Sequence, residues 1–454
     1  MTFLGASMLS GISAQVSPLQ VDTLKETKIP DQWDLQSCID YAKEQNITIR
    51  KNRITAVSTQ IDVKTAKAAL FPSLSFSTGH QVVNRPYQET SSRVSGSEII
   101  SSNSKTSYNG NYGLNASWTL YNGNKRLKTI QQEKLNNQMA ELDVATSENN
   151  IQESIAQVYI QILYAAESVK VNENTLQVSI AQRDRGQELL NAGSIAKSDL
   201  AQLEAQVSTD RYQLVTAQAT LEDYKLQLKQ LLELDGENEM NIYLPALSDE
   251  NVLAPLPTKR DVYISALSLR PEIEASKLNV EASELGINIA KSSYFPTISL
   301  SAGIGTNHTS GSDFTFGEQV KNGWNNSIGL SVSMPIFNNR QTKSAVQKAK
   351  LQYETSMLSL LDEQKALYKT IESLWLDANS AQQRYAAANE KLKSTQISYE
   401  LISEQFNLGM KNTVELLTEK NNLLQAQQEQ LQAKYMAILN TQLLKFYQGD
   451  QLAL

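Results

Sequence analysis

The chain holds one cysteine, Cys38, in 454 residues. No disulfide can close within it, and the usual multi-cysteine zinc sites are excluded. There are two histidines, His80 and His308. Neither stands beside a set of metal-ligating residues, and no His lies near Cys38 to activate it as a nucleophile. No metal or other cofactor is expected, and Cys38 reads as a half-buried thiol at a helix start. The only Gly-Xaa-Gly near a strand end, Gly303 to Gly305, precedes no helix and so forms no phosphate loop. With nothing else catalytic in view, the chain is not expected to be an enzyme. Basic residues are outnumbered, 41 against 48, for a net charge of −7. A nucleic-acid partner normally needs a basic patch, so none is expected. No window approaches the ~18 continuous apolar residues of a membrane-spanning helix. Two options remain, a soluble protein or a membrane β-barrel.

Proline and glycine are also scarce, at 10 and 19. That favours long helices. From Lys125 to Leu190 there is no Pro and one Gly, Gly186; from Asn338 to Leu408 there is neither. Leu127, Ile130, Leu135, Met139 and Leu142, then Ile151, Ile155, Val158, Ile162, Val169 and Leu176, recur every three to four positions. A helix of that length would run roughly 99 Å, several times the diameter of a small domain. Helical segments at 35–69 and 197–234 flank the first rod. Stacked end to end, they match its length and can pair with it. The apolar stripes are narrow and interrupted by Gln, Asn, Ser and Thr, which suits coiled-coil seams with wet outer faces.

The sequence repeats itself once. AALFPSLSFSTG around Phe71 returns as SSYFPTISLSAG around Phe295, 224 residues on. LYNGNKR at Tyr121 returns as IFNNRQT at Phe337, and ELLNAGSIAKSDL returns as EQFNLGMKNTVEL, both 216 residues on. The offset then holds, with Ile155 matching Ile371 and Tyr159 matching Trp375. An insertion inside a packed helix rotates every later residue off its face, so the length change marks a loop and the constant stretch a rigid rod. The expected organisation is a signal peptide at 1–14, an extension at 15–32, a first repeat at 33–245, a linker at 246–258, a second repeat at 259–448 and a tail at 449–454.

Between the helices the period switches from about 3.6 to 2. Tyr112, Leu114, Ala116, Trp118 and Leu120 alternate with Gly113, Asn115, Ser117 and Thr119. Ile298, Leu300, Ala302 and Ile304 alternate with Thr297, Ser299, Ser301 and Gly303. Ile328, Leu330, Val332, Met334 and Ile336 alternate with Gly329, Ser331 and Ser333. A weaker fourth strand holds Leu74, Phe76 and Val82. Apolar-out, polar-in alternation over about ten residues is the transmembrane β-strand pattern. On this reading Leu114, Trp118, Ile298, Leu300, Leu330 and Val332 face lipid, and the small polar side faces water. The joining segments 91–107, with eight serines in seventeen positions, and 306–323 read as polar loops. Four strands cannot close a barrel, and open edges in lipid are not viable. The chain must therefore self-associate. Two copies would leave a lumen filled by side chains; three would leave room for water.

Long helix, FP-led strand pair, WTLYNG, long helix and glycine turn, in duplicate, resemble the TolC family of outer-membrane efflux proteins from about Trp33 to Tyr447. The opening DQWDLQSCIDYAKEQN is similar to the family's first helix. The resemblance implies a homotrimer whose twelve strands form one transmembrane β-barrel, continuous with a periplasmic α-helical tube. It implies an equatorial belt near 235–258 with the chain ends. It implies docking to a periplasmic adaptor protein and an inner-membrane pump, and a passive gated conduit through the outer membrane. It places the tip turns at Gly193 and Gly409. It places gating residues at Lys411, Phe406, Ser198, Asp199, Glu415 and Thr418. The family's best-known member has arginine and tyrosine at the places of Lys411 and Phe406, and a second acidic residue at Thr418. Asp199 and Glu415 also suit the first turn of a helix, where a carboxylate complements the dipole. The competing reading is a structural or adhesive coiled-coil envelope protein, which needs no lipid-facing strands.

Overall fold

The computed structural model describes residues 29–87, 91–95, 98–102, 105–235, 240–245, 252–310 and 314–452. The expected signal peptide, most of the extension before Trp33 and positions 246–251 of the linker lie outside the described residues. The elements run α1 Leu35–Gln45, α2 Ile47–Ala68, β1 Ser73–Asn84, β2 Ser91–Ser95, β3 Glu98–Ser102, β4 Thr106–Asn122, α3 Lys125–Asn191 and α4 Lys197–Leu231. After the connector come α5 Lys259–Leu269, α6 Pro271–Lys291, β5 Thr297–Thr309, α7 Phe316–Asn322, β6 Asn325–Ser333, α8 Gln341–Asn407 and α9 Thr413–Gln448. No described helix is long and apolar enough to cross a membrane.

The duplication extends to backbone detail. α3 and α8 are each 67 residues long. The strand-to-helix turns carry left-handed residues at Gly123 and Asn124 in one repeat and at Asn339 and Arg340 in the other. The flanking helix, read as continuous over 35–69, is broken at Asn46, and its counterpart is broken at Arg270. Asn46 leaves helical geometry, and its side chain accepts from Thr48 N–H at 2.9 Å and donates to the Leu231 carbonyl at 3.1 Å. Arg270 is forced extended by Pro271, which disfavours helix in the residue before it.

Two compact units cut across the repeats. The first takes residues up to 54, 144–270 and 366 onward. Its core gathers Trp33, Leu35, Cys38 and Ile39 with Ile155, Tyr159, Ile162, Leu228, Tyr385, Leu439 and Leu452. Trp33 N–H donates to the Asn241 carbonyl and Tyr243 N–H to the Trp33 carbonyl, both at 2.8 Å. Tyr159 Oη caps this pairing by donating to the Tyr243 carbonyl at 2.5 Å. The segment at Trp33 and the connector at 241–243 are thus stitched together on α3. Cys38 is wholly buried rather than half-buried, and desolvation pushes its thiol up to about 12.

The second unit takes 55–143 and 271–365. Its helices meet through polar seams: Thr59 with Asn137 at 3.2 Å, Gln132 with the Ala282 carbonyl at 3.0 Å, and Ser283 with Ser356 at 2.8 Å. Its sheet has four antiparallel strands in the order β1-β4-β5-β6. Three strand expectations need correction. The serine-rich segment read as a loop contains a second sheet, the β2–β3 hairpin. The expected loop from 306 is shortened, because β5 continues to Thr309 and α7 occupies part of the remainder. β6 ends at Ser333, short of Met334 and Ile336, because Pro335 cannot donate to a ladder.

Candidate functional site: the two-faced sheet and the paired glycine turns

Strand pairing aligns the two parities across the whole sheet. Leu74, Ala116, Ala302 and Ile328 lie in one cross-strand row, and Trp118, Leu300 and Leu330 in another. Leu114 stands between Phe76 and Ile304, and Ile298 opposite Val332. The alternate rows are Ser73, Ser117, Ser301 and Gly329, then Ser75, Asn115, Gly303 and Ser327. All six residues expected to face lipid therefore share one face, and the other is lined by small polar groups. A bulge between Thr119 and Tyr121 takes Leu120 out of the apolar row and sets Tyr121 opposite Ile298. Trp118 anchors the helix-proximal end of that face, its indole N–H donating to the Leu70 carbonyl at 2.7 Å. At the other end His80 and His308 flank Gly110. Tyr108 stacks on His80 and Tyr112 on His308. A Cβ at Gly110 would lie 2.4 Å from the His308 ring, so any larger residue would have to displace that ring. The outer strands β1 and β6 each pair on one side only.

The turns at Gly193 and Gly409 are built alike. Both glycines have φ of 75°, where other residues are strained. Gly193 N–H reaches Leu190 and Ser194 N–H reaches Leu189; Gly409 reaches Phe406 and Met410 reaches Gln405, all at 2.8 to 2.9 Å. This double closure satisfies the last free carbonyls of each long helix. Asp199 and Glu415 occupy the same place in the helices that follow. Asp199 accepts from Ala196 N–H at 3.0 Å. Glu415 accepts from Asn412 N–H at 3.2 Å, while Asn412 Oδ1 accepts from Glu415 N–H at 2.9 Å. Lys411 pairs with Glu415 at 2.6 Å, and that bond with the Asn412 N–H holds the carboxyl below its ordinary value of 4.5. Within the chain, then, Lys411 is brought to Glu415, and Asp199 serves its own helix start. Ser198 is exposed, Thr418 donates back to the Val414 carbonyl at 2.8 Å, and Phe406 is buried at 3 % exposure.

Sequence reasoning missed three groups. Gly186, the lone glycine of α3, lets α4 approach: a Cβ there would meet Leu203 Cδ1 at 2.4 Å. Arg270, only 6 % exposed, pairs with Glu153 at 2.6 Å and lies 3.9 Å over the Tyr447 ring. Burial and the Glu153 charge push the Tyr447 phenol up to about 12. Third, Lys420, Asp210 and Ser179 meet in the interior near the turns. No group of three metal-ligating residues occurs among the described residues.

The outer membrane efflux protein family matches residues 38–233 and 262–449. The chain belongs to that family, and with it to the outer membrane. It is 24% identical over 294 residues to the outer membrane efflux protein BepC of Brucella suis biovar 1 (strain 1330), covering 64% of this chain and 61% of BepC. It is 24% identical over 294 residues to the outer membrane protein TolC of Escherichia coli (strain K12), covering 63% of this chain and 58% of TolC. Each of these matches spans less than two thirds of the relative's length. The fold is that of the outer membrane protein VceC from Vibrio cholerae, with a TM-score of 0.75, 15% identity and coverage of 92% of this chain and 97% of VceC.

Proposed function

We propose that the chain is one subunit of a homotrimeric outer-membrane channel, a passive gated conduit of a tripartite efflux or export system. One observation carries the reading: a four-stranded sheet with an apolar face, a polar face and two unpaired edges. Such a sheet is not viable in lipid alone, yet closes into a water-filled barrel when copies join edge to edge. Leu114, Trp118, Ile298, Leu300, Leu330 and Val332 then face lipid, and the Tyr and His rings near Gly110 sit at the interface, where amphipathic rings are favoured. An adhesive stalk has no use for this face. The work is conduction, and energy comes from an inner-membrane pump joined through a periplasmic adaptor. The turns at Gly193 and Gly409 form the periplasmic tip, with Lys411, Glu415, Asp199, Ser198, Phe406 and Thr418 around its constriction. Lys411 is held by Glu415 in the single chain, and its ammonium, with three donors, can also bond an acceptor on a neighbour. Purified protein reconstituted in planar lipid bilayers should give discrete, small, mostly closed conductance steps. Folded, lipid-inserted protein that never conducts would overturn the proposal.

A further inference from the structure

We infer that Lys420, Asp210 and Ser179 form a buried polar lock that ties the two hairpins of one chain, α3–α4 and α8–α9, to each other, so that parting them requires breaking it. The inference rests on the channel reading for its purpose, though not for its geometry. Lys420 is 3 % exposed, and Asp210 and Ser179 are 2 % exposed. Lys420 Nζ donates to Asp210 Oδ2 and Ser179 Oγ, and Ser179 Oγ donates to Asp210 Oδ2. The second carboxylate oxygen accepts from Gln206 Nε2 at 2.8 Å. Both charges are thus taken out of water and paired with each other. Lys420 belongs to the second hairpin; the other three belong to the first. The nearby cross-links run the same way: Gln182 with Tyr399 at 2.8 Å and Ser168 with Gln428 at 3.0 Å.

The duplication shows that the lock is one-sided. Shifted by 216 positions, Ser179 becomes Thr395 and Asp210 becomes Ala426; Lys420 shifted back becomes Glu204. Ala426 is wholly buried and Glu204 is exposed. No ion pair can form at the equivalent place, which in a ring of duplicated chains falls between subunits. Parting the hairpins within a chain must break this ion pair, whereas parting them at the other contact breaks none.

Two readouts on the assembled channel test this. Lys420→Met leaves Asp210 buried and unanswered, whereas the double variant Lys420→Met with Asp210→Leu removes both charges and keeps apolar volume. Lys420→Met should raise the open-state occupancy in planar bilayers by at least about tenfold, and the double variant should return it toward wild type. The second readout is the distance between spin labels at Lys197→Cys and Val414→Cys, with labelled chain diluted in unlabelled chain. Cys38 is buried and takes no label. Wild type and the double variant should give one narrow intrachain distance, and Lys420→Met a broadened one. If Lys420→Met does not assemble, Asp210→Asn carries both measurements. A narrow distance and unchanged gating in the single variant would overturn the lock, as would a double variant that recovers nothing. Wild type that carries no current but shows the expected distances would remove the channel reading and leave the lock standing.

Discussion

Arg270 shows how much a single side chain can hold here. Pro271 breaks the helix at this position, and the freed Arg270 turns inward to Glu153 and across the face of Tyr447. Its planar guanidinium can lie flat on a ring while bonding a carboxylate through its edge, a geometry that the point charge of an ammonium does not reproduce. Arg270→Ala would leave Glu153, whose side chain is 19% exposed, without its partner. The expected loss is about 3 kcal/mol, the low end for breaking a buried pair. Arg270→Lys should recover less than half of it. Denaturation in detergent followed by helical circular dichroism would measure both, and a loss within ~0.5 kcal/mol would place Arg270 among ordinary surface charges. Neither Arg270 nor the Lys420–Asp210 pair was legible as a site in the sequence. A charge on a helix reads as solvated by default. The available signal was positional: Asp210 continues the buried series Leu200, Leu203 and Val207, and Lys420 continues Thr413 and Leu416. A charge sitting where the seam calls for an apolar residue has to be answered from a neighbouring helix.

At the level of elements, legibility followed the strength of the local rule. The core of each strand was readable because two-residue alternation tolerates no slip: moving the register by one would put Ser301 among the leucines. The turns were readable because φ of 75° selects glycine. The break at Asn46 was not, since asparagine is only mildly unfavourable in a helix and its bonds to Thr48 and Leu231 exist only once the chain is folded. The β2–β3 hairpin was not, because a serine-rich segment carries no apolar period. The parity makes a sharp prediction. Leu300 lies between Trp118 and Leu330, and Ser301 between Ser117 and Gly329. Leu300→Arg should cost ~2–4 kcal/mol near the bilayer midplane and block insertion. Ser301→Arg, on the water side, should insert normally and lower the conductance. Heat-modifiable mobility on gels would report assembly, and equal damage from the two would mean that the faces are misassigned.

At the scale of the whole molecule the decisive feature is what one chain leaves unfinished. β1 and β6 are the sheet's outer strands, and they come from opposite repeats, so one copy offers a first-repeat edge where the next offers a second-repeat edge. Such a head-to-tail contact either closes into a ring or runs on as a filament. In lipid only closure is viable, because every strand must be paired. Two copies close eight strands around a core filled by side chains; three close twelve, with space for water. The polar rows of serine, asparagine and glycine suit the second case, since a packed barrel interior would need bulk that they do not have. Edge-to-edge cross-linking would count the copies. A chain carrying Ser77→Cys in β1 and Ser327→Cys in β6, treated with a flexible bismaleimide after membrane extraction, should give bands at one, two and three chain masses. A series that stops at two would favour the filled barrel and remove the conduit. One that continues past three would mean that the edges join without closing, as in a filament. Termination at three follows from geometry, because a ring of three has no free edge left to join.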